Sequence, residues 1–181
     1  MTSTSSALML KMKHGKSPDR SPRDAYPTPR LFTEILLDRI RFEGSVLEPA
    51  AGRGDMLTVL LERYPQAEGR DINDDHDFFE EHDQFDNIIT NPPFSRALDF
   101  VKHGISRSRK KLALLLPYYF IVAKSRKDVL NTYATRLIVV SQRMQVEMPD
   151  GRTMNSVFNH IWCVFEPPTR NKDRRPSFEV A

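Results

Sequence analysis

Residues 86–94 of this chain read Asp-Asn-Ile-Ile-Thr-Asn-Pro-Pro-Phe. The two isoleucines predict a buried strand, which ends at an Asn followed by two prolines. Consecutive prolines restrict φ and remove two backbone N–H donors, so the turn is stiff and presents carbonyl acceptors. The Asn91 side-chain oxygen and the Pro92 carbonyl are two such acceptors, and Phe94 adds a flat ring. Two acceptors beside a ring suit a planar group that carries an exocyclic NH₂.

A second motif lies upstream, where residues 46–55 read Val-Leu-Glu-Pro-Ala-Ala-Gly-Arg-Gly-Asp. A short strand is predicted to end in a turn of small residues, and a helix follows from Met56 to Tyr64. Gly52 and Gly54 allow a ligand to approach the backbone closely, and the start of the helix offers free N–H groups. Leu57 stands where a dinucleotide fingerprint has its third glycine, so a ligand without pyrophosphate is favoured.

Together the two motifs resemble those of the S-adenosylmethionine-dependent DNA adenine-N6 methyltransferases, in particular the small phage-type enzymes. This resemblance implies a Rossmann-like class I methyltransferase fold of the α/β class. Such a fold has a seven-stranded, mostly parallel sheet with an antiparallel last strand and helices on both faces. The resemblance further implies S-adenosylmethionine as cofactor. It assigns the catalytic roles to Asn91, Pro92, Pro93 and Phe94.

The same resemblance implies the cofactor-binding residues. They come from the glycine motif, from the Asn-Pro-Pro-Phe motif and from a Tyr-x-Thr-Pro segment that folds over the methionine end of the cofactor: Glu48, Pro49, Ala50, Gly52, Gly54, Asn91, Tyr26 and Thr28. The Tyr-x-Thr-Pro segment also reads as a helix start, with Thr28 as cap and Pro29 in the first helical position. Four residues are expected on its apolar face: Leu31, Ile35, Leu36 and Ile40.

Two acidic positions complete the predicted cofactor site. A second strand over 67–70 ends at Asp71, seventeen residues after Gly54, close to where α/β nucleotide sites place a ribose-binding carboxylate. Asn73 and the neighbouring acids are alternatives for that role. Asp77 and Phe78 resemble the family's Asp-Phe pair, whose carboxylate meets the cofactor adenine while the ring packs on it. Asp83 is a competing candidate.

The second half of the chain predicts the remaining strands and a place for substrate. Tyr118, Tyr119 and Phe120 follow a buried strand over 111–116, at the sheet edge where ligands bind in open α/β folds. The two tyrosines are predicted to stack a target base; capping the core is the alternative interpretation.

The last predicted strands come from residues 143–148, an Asp-Gly turn at 150–151 and residues 157–165, which are expected to complete the sheet as hairpin partners. Residues 149–166 resemble the terminal hairpin of the phage-type enzymes. Arg152, Asn155 and His160 could contact substrate there, although a surface position is the simpler interpretation.

Composition bounds the class of protein. A chain of 181 residues is expected to hold one methyltransferase domain over 25–166, after a flexible basic arm over 1–24 and before a basic tail over 167–181. The net charge of +3 and the pI of about 9.1 are compatible with nucleic acid. A single cysteine excludes an internal disulfide and fits a reducing cytoplasm, bacterial or of a phage-infected cell. No apolar run is long enough to span a membrane, and no metal site is predicted.

The predicted reaction is methyl transfer to the N6 amino group of adenine in DNA, within a short or relaxed sequence context. The resemblance leaves alternatives: RNA adenine, a protein glutamine amide, or an inactive methyltransferase fold that only binds. No segment is left for a separate target-recognition region, so a partner subunit could supply specificity.

Overall fold

The structure is a computed structural model that describes residues 27–143, 145–147, 153–155, 159–167 and 176–181; for 145–147 and 153–155 it describes the backbone. The predictions for Tyr26, Arg152, the arm over 1–24 and the side chain of Asn155 therefore lie outside the described residues.

Within the described residues, seven strands form the main sheet, and two short antiparallel strands form a separate sheet. In chain order the strands are β1 Val46–Glu48, β2 Glu68–Gly69, β3 Phe85–Thr90, β4 Ser108–Pro117, β5 Ala134–Val140, β6 Gln145–Glu147, β7 Thr153–Asn155, β8 His160–Phe165 and β9 Ser177–Val180. The main sheet has the order β2-β1-β3-β4-β8-β5-β9. All its pairs are parallel except those of β8, which inserts antiparallel between β4 and β5. The predicted fold class is confirmed.

The C-terminal part of the sheet differs from the prediction in two respects. Among the described strands, β6 (residues 145–147) lies outside the main sheet and pairs with β7 in a two-stranded sheet. Ser177–Val180, within the predicted tail, instead forms the edge strand β9 and pairs in parallel with β5. Edge pairing depends on free backbone groups of a neighbouring strand rather than on a strong local pattern, which explains why β9 was not predicted.

Helices cover both faces of the main sheet. The α-helices are α1 Arg30–Arg39, α2 Asp55–Arg63, α3 Ala97–Arg107, α4 Tyr119–Val122 and α5 Lys127–Tyr133. Because successive strand residues point to opposite faces, the sheet contributes to two cores. The first core joins α1 and α2 to side chains such as Leu115 and Trp162, and the second joins α3 and α4 to side chains such as Leu114 and Cys163. None of the helices in the described part of the chain is long and apolar enough to cross a membrane.

Helix α1 begins at Arg30, one residue after the predicted start, and of the predicted apolar face only Leu31 is not buried. Leu31 is 46% exposed, whereas Phe32, Ile35 and Leu36 are buried against the sheet, with Ile40 after the helix. These buried residues follow the helical spacing from position 32, and Leu31 lies outside that stripe. The predicted side-chain cap is also absent, since Pro29 occupies the cap position and no side chain bonds the first turn.

Candidate active site

The Asn-Pro-Pro-Phe motif lies directly after β3, at the carboxyl edge of the sheet. Thr90 is the last residue of β3, and a 3-10 turn begins at Phe94. Pro93 has an extended backbone (φ −57°, ψ 124°), so the chain leaves the sheet without continuing the strand. Asn91 is thus held between a strand and a stiff turn, which fixes its backbone.

The Asn91 side chain has one end bonded and the other end open. Its Nδ2 donates a hydrogen bond of 3.1 Å to the hydroxyl of Thr28, in the segment before α1. Its Oδ1 is buried and has no hydrogen-bond partner among the described residues. A buried acceptor without a donor costs free energy, so this oxygen is prepared to accept a hydrogen bond from a ligand.

The glycine loop after β1 borders open space. Gly52 and Gly54 both have positive φ, 56° and 84°, a region where glycine is strongly favoured. A Cβ built on either glycine would meet nothing within 4 Å in the described part of the chain. Gly54 also caps α2, so the loop and the first turn of this helix present backbone N–H groups at the same place.

The Asp71 side chain is hydrogen-bonded to the glycine loop. It is 1% exposed, and its Oδ2 accepts a 2.8 Å hydrogen bond from the Gly52 N–H. Its Oδ1 accepts from the backbone N–H of Asn73 at 3.0 Å and from Asn73 Nδ2 at 2.6 Å. The carboxylate therefore braces the glycine loop, a role that the sequence did not predict. The ribose-binding role stays a prediction.

Glu48 ends β1 below the same loop and is 2% exposed. Burial, and then the nearby charges of Asp71 and Asp55, raise the pKa of its carboxyl to about 8, against a bond from the Leu57 backbone N–H that lowers it. Its Oε2 has no hydrogen-bond partner among the described residues. Glu48 is thus a second buried polar group beside the loop, mostly protonated near pH 7, and a cationic ligand nearby would favour its ionised form.

Two cavities flank the glycine loop. One, of about 270 Å³, is lined by Pro49, Asp77 and Phe78, three predicted cofactor residues, together with Arg70 and other side chains. Asp77 accepts from the Phe79 N–H at 2.9 Å, and Phe78 packs against other rings of the second core.

The other cavity, of about 430 Å³, is lined by Thr28 and Pro29 and by residues of α2 such as Thr58. Of the remaining candidates, Ala50 is half-buried in the loop, and Asp83 is exposed. Four of the predicted cofactor residues thus line these two cavities: Pro49, Asp77, Phe78 and Thr28.

The rim aromatics divide into two kinds. Tyr118 and Tyr119 are 42% and 45% exposed after β4, whereas Phe120 is 2% exposed and belongs to the second core. Capping of the core therefore applies to Phe120, whereas stacking on a base stays a prediction for the two tyrosines. Of these three residues, the two tyrosines have exposed surface at this edge.

His160, for which a surface position was the simpler interpretation, is buried. It is 1% exposed at the start of β8, and its ring centroid lies 5.7 Å from that of Phe94. Its alternation with Trp162 and Val164, both in the first core, was the sequence signal for an inward position. Within the described residues, no group of three His, Cys, Asp or Glu side chains could hold a metal ion.

Comparison with solved structures identifies the fold. The chain is similar to a Listeria monocytogenes protein assigned to the class I S-adenosylmethionine-dependent methyltransferases, with a TM-score of 0.55 and 13% identity over 83% of this chain; it spans only 62% of that protein. A Pyrococcus horikoshii protein assigned as an RNA methyltransferase gives 0.53 and 12%, covering 80% of this chain and 87% of that one. An S-adenosylmethionine-dependent O-methyltransferase from Thermotoga maritima gives 0.50 and 13%, covering 86% and 69%.

Because the sequence identities are low, the likeness shows the fold alone. The chain has the class I methyltransferase fold. No protein-family model matches the chain, and no curated protein is similar to it by sequence. The residues present fit S-adenosylmethionine on their own chemistry, because the glycine loop borders open space, and Glu48 and Asn91 each keep a buried oxygen without a partner among the described residues.

Proposed function

We propose that this protein is an S-adenosylmethionine-dependent methyltransferase that methylates the N6 amino group of adenine in DNA. The observation that carries this proposal is the buried, unpaired Oδ1 of Asn91 at the carboxyl edge of the sheet, in the sequence Asn-Pro-Pro-Phe. An oxygen that lacks a donor among the described residues suits a substrate that brings one, and an exocyclic amino group brings two.

The cofactor would be held by the residues around the glycine loop. Gly52 and Gly54 leave room for close approach, and the Glu48 carboxyl, buried beside them, would favour a positively charged group. Asp77 and Phe78 line the cavity on one side of the loop, and Thr28 lines the cavity on the other. When bound, S-adenosylmethionine supplies an electrophilic methyl group.

Residues of the Asn-Pro-Pro-Phe motif would activate the adenine amino group as a nucleophile. The adenine amino lone pair is delocalised into the ring, so it is a weak nucleophile. Hydrogen bonds from the amino hydrogens to Asn91 Oδ1 and to the Pro92 carbonyl would favour a tetrahedral nitrogen. These bonds strengthen as positive charge develops on the nitrogen, so they act mainly in the transition state. Phe94 would stack on a base that has left the duplex or lies in a single strand.

RNA adenine is the second candidate substrate, and one observation favours it. The Pyrococcus horikoshii neighbour is assigned as an RNA methyltransferase, and this chain covers 87% of it. The positive net charge is compatible with either nucleic acid. A rim with two exposed tyrosines also suits unpaired bases of either kind.

Mass analysis of methylated nucleosides tests the proposal. Purified protein is incubated with S-adenosylmethionine and with DNA or RNA of random sequence, and the digested product is analysed. The expected product is N6-methyldeoxyadenosine; N6-methyladenosine from RNA alone would select the second candidate. Methylation at a ring nitrogen or carbon, or no methylated base, would contradict the proposal.

We further propose that the enzyme acting alone has short or relaxed sequence specificity. The described helices and strands are almost all used to build the sheet and its two cores, so few elements remain to read base edges. Sequencing that maps methylated adenines after treatment with the purified protein is the test. A single motif of about five or more fixed bases would contradict this part of the proposal.

A further inference from the structure

The position of His160 connects it to the Asn-Pro-Pro-Phe motif. It is the first residue of β8 and pairs with Pro117, the last residue of β4, so it lies at the carboxyl edge of the sheet. By strand alternation it shares a face with Trp162, which packs in the first core under α1. Asn91 is also hydrogen-bonded toward α1, because its Nδ2 donates to the hydroxyl of Thr28 just before that helix.

The imidazole of His160 lies between two phenylalanine rings. Its centroid is 6.0 Å from that of Phe32 in α1, edge to face, and 5.7 Å from that of Phe94, tilted by 42°. Burial lowers the pKa of His160 to about 4, so the ring is neutral near pH 7 and carries one N–H and one acceptor nitrogen. Trp162 Nε1 donates to the Phe32 carbonyl at 2.8 Å, which ties Phe32 in α1 to the strand that carries His160.

The Nδ1 of this buried ring has no hydrogen-bond partner among the described residues. A ring nitrogen left unpaired in the interior is destabilising unless a ligand supplies the partner. His160 Nδ1 and Asn91 Oδ1 are thus two buried polar atoms without a partner among the described residues. The His160 ring contacts that of Phe94, and Asn91 begins the motif that Phe94 ends.

The proposed function determines which partner His160 would meet. Both hydrogens of the target amino group are assigned to Asn91 and Pro92. The atoms that flank this amino group on adenine are N1 and N7, which are both acceptors without a donor. We propose that His160 is a specificity-determining residue, whose Nδ1–H donates a hydrogen bond to a ring nitrogen beside the target amino group. This inference rests on the proposed function for the identity of the ligand.

The test measures binding rather than turnover. Single-stranded oligonucleotides with one adenine, one 1-deazaadenine or one 7-deazaadenine retain the amino group but differ in one ring nitrogen. Their affinities are measured by fluorescence anisotropy with S-adenosylhomocysteine present. Wild-type protein should bind the adenine oligonucleotide at least about tenfold more tightly than one of the two analogues, the factor of one hydrogen bond.

Variants at His160 test whether the preference for the adenine oligonucleotide depends on this residue. His160→Phe should bind all three oligonucleotides within about twofold of one another, because the ring remains but the donor is lost. His160→Asn should recover part of the preference, since its amide can donate from nearly the position of Nδ1. The matched control His82→Asn, at an exposed histidine before β3, should keep the wild-type preference. Thermal melts and calorimetric titration of S-adenosylmethionine verify that each variant folds and binds cofactor.

The outcomes separate the two proposals. A wild-type protein without preference among the three oligonucleotides, or a folded His160→Phe that keeps the preference, would overturn the role of His160. If His160→Phe does not fold, the wild-type comparison and His160→Asn decide. A protein that discriminates but forms no N6-methylated adenine would contradict the proposed function and leave the role of His160 intact.

Discussion

The side-chain amide of Asn91 donates to the hydroxyl of Thr28 across 63 residues of sequence, at 3.1 Å. This bond orients the amide so that its nitrogen faces Thr28 and its oxygen remains unpaired in the site. The segment before α1 therefore controls which end of the amide a substrate meets.

Replacing Asn91 with Ala should lower kcat for methyl transfer by about 10²–10³-fold, because the lost acceptor acts mainly in the transition state.

Affinity for S-adenosylmethionine should change little in Asn91→Ala, as measured by calorimetric titration. Asn131→Ala makes the same change on the exposed face of α5 and should leave kcat unchanged. Substantial activity in Asn91→Ala would contradict the catalytic assignment.

Thr28→Val tests the orienting bond. Valine keeps the shape of threonine but has no hydroxyl, so the Asn91 amide loses its anchor and can rotate. We expect kcat to fall by about tenfold, the worth of one hydrogen bond. Thr33→Val is the matched control, since Thr33 is buried in α1 and its hydroxyl has no partner among the described residues. Equal activities of the two variants would argue against an orienting role.

Asp71→Asn separates bracing of the loop from ribose binding. Asp71 accepts from the Gly52 and Asn73 N–H groups, and loss of a buried acceptor costs about 1–3 kcal/mol. We therefore expect the melting temperature of the cofactor-free protein to fall by roughly 2–10 °C, together with weaker S-adenosylmethionine binding. The exposed neighbour Asp75→Asn should melt like the wild type. Weaker binding with an unchanged melting temperature would assign Asp71 to the ribose alone.

Glu48 should make the stability of the fold depend on pH. Its folded pKa of about 8 exceeds the ordinary value of 4.5, so the folded chain holds a proton that the unfolded chain releases. The free energy of unfolding should therefore fall as pH rises from about 4.5 to about 8. Urea unfolding at pH 5.5 and 7.5 should show a loss on the order of 2 kcal/mol more for wild type than for Glu48→Gln. Parallel losses in the two proteins would contradict a buried, protonated Glu48.

The exposed tyrosines should contribute to nucleic-acid binding. Stacking is worth about 1–3 kcal/mol per base, so Tyr118→Ala and Tyr119→Ala should each weaken binding of single-stranded DNA about 5- to 150-fold. Phe178→Ala is the control, since Phe178 is 58% exposed on β9, at the far edge of the sheet. Anisotropy titrations at several salt concentrations provide the measurement. Wild-type affinity in both tyrosine variants would remove them from the substrate site.

Local sequence indicated the class of fold, which the structure confirms, and the position of the candidate site, which stays a prediction. The apolar strand into Pro92 and Pro93 and the glycines at 52 and 54 each restrict the backbone of their own neighbourhood. Such restrictions act over a few residues, so they can be recognised without the rest of the chain. The seven-stranded, mostly parallel sheet was expected from the resemblance that these motifs carry.

Only the tertiary structure decided what the polar side chains contact. Asn91 meets Thr28, Asp71 meets Gly52, and His160 lies between Phe32 and Phe94, through contacts that join distant parts of the chain. The pairing of the edge strand β9 with β5 belongs to the same category. Burial and pairing of this kind depend on how strands align and which faces the helices cover. That is a property of the whole packed chain, whereas a motif reports only on its immediate neighbours.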